Sequence, residues 1–196
     1  MRPARQQNRR ANLFDDLFVI AGADLVTLRN GVFVAARPDG TGFVVTYYQD
    51  ISYSLPAWKD PNPFKMDVYA RVLGWQSGAI SSVFLVPDTQ AHGYYGYQGN
   101  PAVAVKSDGS FVITWESSWA GAGSFPPQSD PGMGIYARQF TATGTALGLD
   151  FHVNTTQDND QSRPAIAMNG AGHFLIGWEG LDNTNNVDVY GQVYDF

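Results

Sequence analysis

The stretch "NPAVAVKSDGSFVITWES", residues Asn100 to Ser117, decides the fold. Phe111, Ile113 and Trp115 alternate with the residues between them, so the two sets project to opposite faces of a strand. Asp108-Gly109 separates this run from an earlier apolar run, and a glycine there accepts positive φ at little steric cost. The stretch therefore predicts a β-hairpin that ends on a tryptophan beside a carboxylate, Glu116.

The hairpin pattern recurs twice in the chain. "RPAIAMNGAGHFLIGWEG" at 163–180 is a close second version, and "GVFVAARPDGTGFVVTYYQD" at 31–50 is a fainter one. Each version is followed by a matched segment, "MDVYARVL", "MGIYARQF" or "VDVYGQVY". No segment sustains a helical period. The chain is therefore predicted to be all-β, with three four-stranded antiparallel units and Asp39-Gly40, Asp108-Gly109 and Asn169-Gly170 in the hairpin turns.

The combined motif is Gln-x-x-Pro-x-Val/Ile-Ala, Asp/Asn-Gly, Phe-Val/Leu-x-x-Trp, Ile/Val-Tyr-Ala-Arg/Gln and "VNT". It resembles the tandem repeats of large bacterial surface and secreted proteins, which look like β-propeller blades. The resemblance implies a β-propeller-like domain over residues 17–196, with blades at about 30–86, 100–153 and 163–196. That family has no single activity, so the resemblance informs the fold and not the function.

The order of the strands predicts how the propeller is completed. "LFVI" at Leu17–Ile20 resembles the fourth strand of a unit, whereas the third unit has no fourth strand of its own. We expect Leu17–Ile20 to be a closing strand that completes the third blade of a second copy, which gives a six-bladed homodimer. The alternative is a partial propeller, an open arc of three blades whose edges another protein covers.

Composition and charge narrow the class of protein. Hydrophobic residues make up 44% and aromatic residues 14% of the sequence, which is typical of a globular protein. The absence of cysteine excludes disulfides and thiolate metal sites. No apolar run is long enough to span a membrane. The relatives of the repeat are mostly exported, but no N-terminal export signal is recognisable, so the compartment stays open.

Basic residues are concentrated at the start of the chain, in an arm over residues 1–16. Four of the twelve lie in the first ten positions, so the remainder has eight basic against eighteen acidic residues. An acidic body is a poor match for nucleic acid. The arm is predicted to contact an acidic protein surface or anionic lipid head groups; its basic residues are Arg2, Arg5, Arg9 and Arg10.

Long loops on one side of the blades are rich in aromatic residues. They cover about 50–65, 87–99, 117–132, 154–163 and 180–187, and long loops on a rigid scaffold are where function is usually found. Their aromatic residues could form a platform for a sugar ring, a patch for a protein partner, or packing within the loops themselves. The predicted binding residues are Trp58, Tyr94, Tyr95, Tyr97, Trp119 and Phe125.

The only two glutamates, Glu116 and Glu179, occupy equivalent blade positions. Paired carboxylates suit glycoside hydrolysis, but repetition alone explains this pair, so a strand-end group that hydrogen-bonds a loop is favoured. A cluster of aspartates offers oxygen ligands for calcium, but its loop lacks the central glycine and terminal glutamate of a calcium loop, which favours solvated turn carboxylates. The calcium candidates are Asp158, Asp160, Asp182 and Asp188.

The three histidines have no metal-ligand spacing, and neither a phosphate-cradling loop nor a nucleophile with its base is recognisable. No catalytic residue and no cofactor other than calcium is therefore predicted. The first interpretation is a non-enzymatic binding or accessory structural subunit that docks a protein partner or larger assembly through its aromatic loops and basic arm. The second is a carbohydrate-binding propeller, and the third is a glycoside hydrolase that uses Glu116 or Glu179.

Overall fold

The computed structural model describes residues 29–50, 66–75, 78–88, 97–118, 133–155, 159–181, 184 and 186–196. These residues form strands, turns and bends and include no helix. The strands are β1 (Arg29–Ala36), β2 (Gly42–Asp50), β3 (Met66–Gly74), β4 (Gly78–Ala79), β5 (Phe84–Leu85), β6 (Gln98–Val105), β7 (Phe111–Ser118), β8 (Met133–Phe140), β9 (Phe151–His152), β10 (Gln161–Met168), β11 (His173–Leu181) and β12 (Val187–Asp195).

The strands form three antiparallel sheets, which we call blades 1, 2 and 3. Blade 1 has the order β1-β2-β3, with the short strands β4 and β5 both paired to β3. Blade 2 has the order β6-β7-β8-β9, and the described part of blade 3 has the order β10-β11-β12. The prediction of an all-β, propeller-like fold built from antiparallel blades is confirmed.

The first strands of blades 2 and 3 each pack against the blade before them. β6 lies across β1, β2 and β3 of blade 1, and β10 lies across β6, β7 and β8 of blade 2. We call β1, β6 and β10 the inner strands. The face of a blade that meets the preceding blade is its leading face, and the face that meets the following blade is its trailing face.

Two apolar cores fill the spaces between the blades. The first joins the trailing face of blade 1 to the leading face of blade 2, where Phe111, Ile113 and Trp115 are at most 1% exposed. The second joins blades 2 and 3 through Val112, Ile135, Phe174, Ile176 and Trp178, among others. Burial of each large side chain contributes about 1.5–3 kcal/mol. The apolar residues that alternate in the sequence therefore also stabilise the packing of one blade against the next.

The hairpin turns differ in one respect from the prediction. Positive φ occurs at Gly40 (72°), Gly109 (86°) and Gly172 (98°), so Gly172 takes the place of Gly109 in the third blade. The backbone N–H of Gly172 donates to Asn169 as that of Gly109 donates to Lys106, both at about 3 Å. Asn169-Gly170 lies in the predicted hairpin turn, but the expectation that its glycine takes the positive φ is wrong, because Gly172 takes it.

The arginine of the Tyr-Ala-Arg motif fastens the outer edge of its blade. Arg71 Nε donates to the carbonyl of Ser81 at 3.0 Å, and Arg138 Nε donates to that of Gly148 at 2.8 Å. Arg138 also reaches blade 1, where it donates to the carbonyl of Val86 at 3.0 Å and pairs with Asp88 at 3.4 Å. One guanidinium thus joins two blades as well as two segments of its own blade.

The predicted closing strand, Leu17–Ile20, lies outside the described residues, and the predicted blade boundaries stay a prediction. Within the described ranges, no helix has the length and hydropathy needed to cross a membrane.

Candidate functional site

Each inner strand has a β-bulge near its start. The residue at the bulge has positive φ, namely 60° at Gly31, 44° at Asn100 and 53° at Arg163. The pairing register with the second strand of the blade shifts at the same three places. Since a bulge redirects the side chain of a strand, Asn100 and Arg163 point toward a glutamate of their own blade.

Glu116 is the centre of the resulting cluster, and it is only 4% exposed. Its Oε1 accepts hydrogen bonds from Nδ2 of Asn100 at 2.5 Å and from the hydroxyl of Tyr97 at 3.2 Å. Its Oε2 accepts the backbone N–H of Arg163, in the next blade, at 3.0 Å. Both oxygens are thus held by three donors, as expected for a strand-end group that hydrogen-bonds its surroundings.

The equivalent glutamate of blade 3 is in a more open setting. Glu179 Oε2 accepts a hydrogen bond from Nη1 of Arg163 at 3.0 Å. The Arg163 side chain is 72% exposed and that of Glu179 is 37% exposed. The guanidinium is thus oriented by a carboxylate but open to solvent. We call Tyr97, Asn100, Glu116, Arg163 and Glu179 the mouth cluster.

Tyr97 connects the cluster to two of the long loops. Its backbone N–H donates to Oγ of Ser118 and its carbonyl accepts the N–H of Ser118, both at 2.9 Å. These bonds hold together the residues that precede and follow the segments 119–132 and 89–96. Burial, and then the nearby charge of Glu116, raise the pKa of the Tyr97 hydroxyl, so it stays protonated and acts as a donor.

Of the predicted binding residues, the structure places only Tyr97 in this cluster. The other aromatic candidates and the basic arm lie outside the described residues, so those predictions stand as they were made. The candidates outside are Trp58, Tyr94, Tyr95, Trp119, Phe125, Arg2, Arg5, Arg9 and Arg10.

The calcium candidates do not form a described cluster. Asp158 and Asp182 lie outside the described residues, and Oδ1 of Asp160 accepts the backbone N–H of Met133 at 2.9 Å. Asp188 is on the exposed strand β12. No group of three or more potential metal ligands occurs among the residues that the structure describes. A calcium site in these loops stays a prediction.

Sequence reasoning missed Asn100 and Arg163, although a signal for them exists. Both precede a proline, Pro101 and Pro164, which disfavours the right-handed helical region for the residue before it. The repeated Gln-x-x-Pro motif thus marked an irregular place in the strand. The position of Arg163 beside Glu116 depends on how blade 3 packs against blade 2, which the local sequence does not show.

The chain is similar to several solved structures at low sequence identity. A Hadza microbial sialidase is 12% identical with a TM-score of 0.54, over 85% of this chain and 35% of that chain. An endo-arabinase from Bacteroides thetaiotaomicron is 10% identical with a TM-score of 0.49, over 86% of this chain and 56% of that chain. An alpha-L-arabinanase from Penicillium chrysogenum, complexed with arabinobiose, is 12% identical with a TM-score of 0.34, over 86% and 58%.

This chain therefore spans about a third to somewhat more than half of the length of these structures. At such identities the likeness establishes the fold alone. No protein-family model and no curated protein sequence matches the chain.

The comparisons correct the first interpretation of the function. The sequence predicts a non-enzymatic accessory subunit that docks a protein partner, but the solved structure that matches this fold with a TM-score of 0.54 is named as a sialidase. That prediction is wrong.

Proposed function

We propose that this protein recognises carbohydrate, and that an oligosaccharide binds at the mouth cluster. The observation that carries the proposal is the solvent-open guanidinium of Arg163, which is fixed in place on a rigid blade. The carbohydrate-related names of the neighbouring structures agree with the proposal, but they share only the fold with this chain.

Arg163 is suited to sugar hydroxyls or sugar carboxylates. A guanidinium has five N–H donors, and in the described residues only Nη1 has a side-chain partner, Glu179. The main chain of Arg163 is held by the bulge and by the hydrogen bond of 3.0 Å that its backbone N–H donates to Glu116. A donor group that is oriented before the ligand arrives loses less conformational entropy on binding. Glu179 acts here as a positioning residue.

Aromatic residues that adjoin the cluster in sequence supply the second element of the proposal. The segments 89–96 and 119–132 contain Tyr94, Tyr95 and Trp119, and the bonds between Tyr97 and Ser118 join the ends of these segments. Aromatic rings offer an apolar face to the C–H side of a sugar, while the arginine contacts its hydroxyls. The two segments themselves lie outside the described residues, so their part in binding rests on sequence.

Hydrolysis is not what the geometry at Glu116 favours. A glycosidase needs one carboxyl group that donates a proton and another that attacks or activates water. Both oxygens of Glu116 accept hydrogen bonds from groups of the protein, and the residue is buried. This carboxylate is occupied with holding two blades together, so we propose binding without turnover at Glu116.

A glycan array followed by titration calorimetry with the best ligand tests the proposal. The variant Arg163→Asn introduces a residue that is compatible with the bulge, because an asparagine, Asn100, occupies the equivalent bulge of blade 2. We expect it to weaken binding about tenfold or more, since hydrogen bonds to charged groups contribute about 1.5–3 kcal/mol. Asp195→Asn is the matched control, because it removes an exposed carboxylate, which contacts His173, elsewhere on blade 3.

Two results would overturn the proposal. One is an array without any bound glycan. The other is a glycan that binds Arg163→Asn and the parent chain with equal affinity. Turnover of the bound glycan that disappears in Glu116→Gln, with binding retained, would instead establish hydrolysis and refute the statement about Glu116.

A further inference from the structure

The trailing face of blade 3 repeats the apolar surface that blade 2 buries. Val112 and Ile135 of blade 2 are 0% exposed beneath blade 3. Because Trp115 pairs with Tyr136 and Trp178 with Tyr190, the equivalent residues of blade 3 are Leu175 and Val189. Leu175 is 48% and Val189 is 83% exposed. The surface has the chemistry of a blade interface but carries no blade among the described residues.

The inner strand of blade 1, β1, is a surface complementary to the trailing face of blade 3. In the two interfaces of the chain, the later blade lays its inner strand across the earlier blade. Pro101 and Pro164 in those inner strands are buried, whereas Val32, at the same place in β1, is 60% exposed. Val34 is 57% exposed, while the equivalent Ile166 packs against the core between blades 2 and 3. β1 is thus an inner strand without a described blade beneath it.

The hydrogen bond between blades 2 and 3 has an equivalent acceptor in blade 3 and an equivalent donor in blade 1. There, Glu116 accepts the backbone N–H of Arg163 at the bulge of the next inner strand. Glu179 is the equivalent acceptor in blade 3, and its Oε1 has no hydrogen-bond partner among the described residues. Gly31, with φ of 60°, is at the equivalent bulge in β1.

We propose that two copies of this chain assemble head to tail. The inner strand β1 of each copy lies across the trailing face of blade 3 of the other copy, and Glu179 accepts the backbone N–H of Gly31 from the other copy. Each of the two interfaces repeats the inner-strand part of a contact that the single chain already makes twice. A pair with two such interfaces is closed, so neither of these two surfaces is left for further addition.

A second copy is favoured as the occupant because both complementary surfaces belong to the same chain. Val45 and Tyr47, the rest of the leading face of blade 1, are already buried in the single chain, so β1 carries the contact. The proposal does not rest on carbohydrate recognition, because the interface does not use the guanidinium of Arg163. That group is at the position in blade 3 that the side chain of Asn100 has in blade 2.

Sedimentation velocity over a range of protein concentrations tests the assembly. The expected result is a reversible species of twice the chain mass of 21.4 kDa. Val189→Asp and Val34→Asp should each raise the dissociation constant about 100-fold or more, because each places an unpaired charge in an apolar interface. Leu149→Asp is the matched control, since Leu149 is 68% exposed on blade 2, away from both surfaces.

Mixing the two variants separates this arrangement from a symmetric contact between two β12 strands. In a head-to-tail pair of Val189→Asp with Val34→Asp, one interface carries both charges and the other carries none. Mixing should therefore restore a dimer that neither variant forms alone. A monomeric parent chain, a dimer that survives Val34→Asp, or a mixture that stays monomeric would each overturn the proposal.

Discussion

Glu116 of blade 2 accepts the backbone N–H of Arg163 of blade 3 at 3.0 Å, so a strand-end carboxylate of one blade holds the inner strand of the next. The same carboxylate binds the hydroxyl of Tyr97 and the side chain of Asn100. It therefore joins three chain segments at a place that is closed to solvent. Glu116, one of the two carboxylates that the sequence suggested for glycoside hydrolysis, forms a hydrogen bond between two blades.

Replacing Glu116 should destabilise the fold strongly. In Glu116→Gln the amide keeps one acceptor oxygen and turns an N–H₂ group toward donors that need acceptors. We expect a loss of about 2–4 kcal/mol in the free energy of unfolding. For a chain of this size that is roughly 5–12 °C in Tm. Thermal and urea unfolding measure both quantities.

The control for this prediction is Glu179→Gln, at the equivalent position in blade 3. Its carboxylate makes one exposed ion pair, so a change of about 0–1 kcal/mol is expected. Both variants should be compared in the Val34→Asp chain, where assembly cannot contribute. Equal losses for the two would mean that the contact between Glu116 and Arg163 does not stabilise the blades.

The repeated glutamine and tryptophan of the motif are joined in blade 3. The indole N–H of Trp178 donates to Oε1 of Gln161 at 2.8 Å, and both residues are buried. Gly180 permits this approach, because a Cβ there would collide with the amide oxygen. Gln161→Leu should therefore cost about 1–3 kcal/mol, since the buried indole loses its acceptor. Urea unfolding measures the loss.

Gln98→Leu is a matched comparison for that substitution. Gln98 has the same place in blade 2 and is 7% exposed, but its Oε1 has no hydrogen-bond partner among the described residues. Replacing an unsatisfied buried oxygen by a methyl group should cost less than breaking the bond in blade 3. A greater loss for Gln98→Leu than for Gln161→Leu would contradict the prediction.

The alternation of Phe111, Ile113 and Trp115 predicted strand and burial correctly, because both follow from a period of two along one strand. The turn of blade 3 was misread because Asn169-Gly170-Ala171-Gly172 contains two glycines, and only the pairing of the strands selects which one takes positive φ. The sequence favoured a hydrogen-bonding role for Glu116, but its contact with the next blade could not be predicted, because Arg163 is 47 residues away.

The hairpin turns should make the fold sensitive to acid. The hydroxyl and then the N–H of Ser110 hold the pKa of Asp108 below its ordinary value, and Thr41 does the same for Asp39. Because the folded pKa is lowered, these carboxylates stabilise the fold above the unfolded value of about 3.9, and the contribution is lost as pH falls through the folded pKa. Unfolding free energies at neutral and acidic pH measure this loss.

The double variant Asp39→Asn/Asp108→Asn isolates the part of the acid response that comes from the turns. Asparagine keeps an acceptor oxygen for the same donors but does not titrate in this range. The variant should lose less stability than the parent chain between pH 5 and about pH 3. The same loss in both chains would place the acid sensitivity elsewhere.

Arg138 should tolerate even a conservative change poorly. Its guanidinium binds the carbonyls of Gly148 and Val86 and the carboxylate of Asp88, and its side chain is only 13% exposed. A lysine has the charge but cannot present donors to three groups in one plane. We expect Arg138→Ala to cost about 2–4 kcal/mol and Arg138→Lys to recover less than half of that. Full recovery in urea unfolding would show that charge alone, and not the planar set of donors, joins blades 1 and 2.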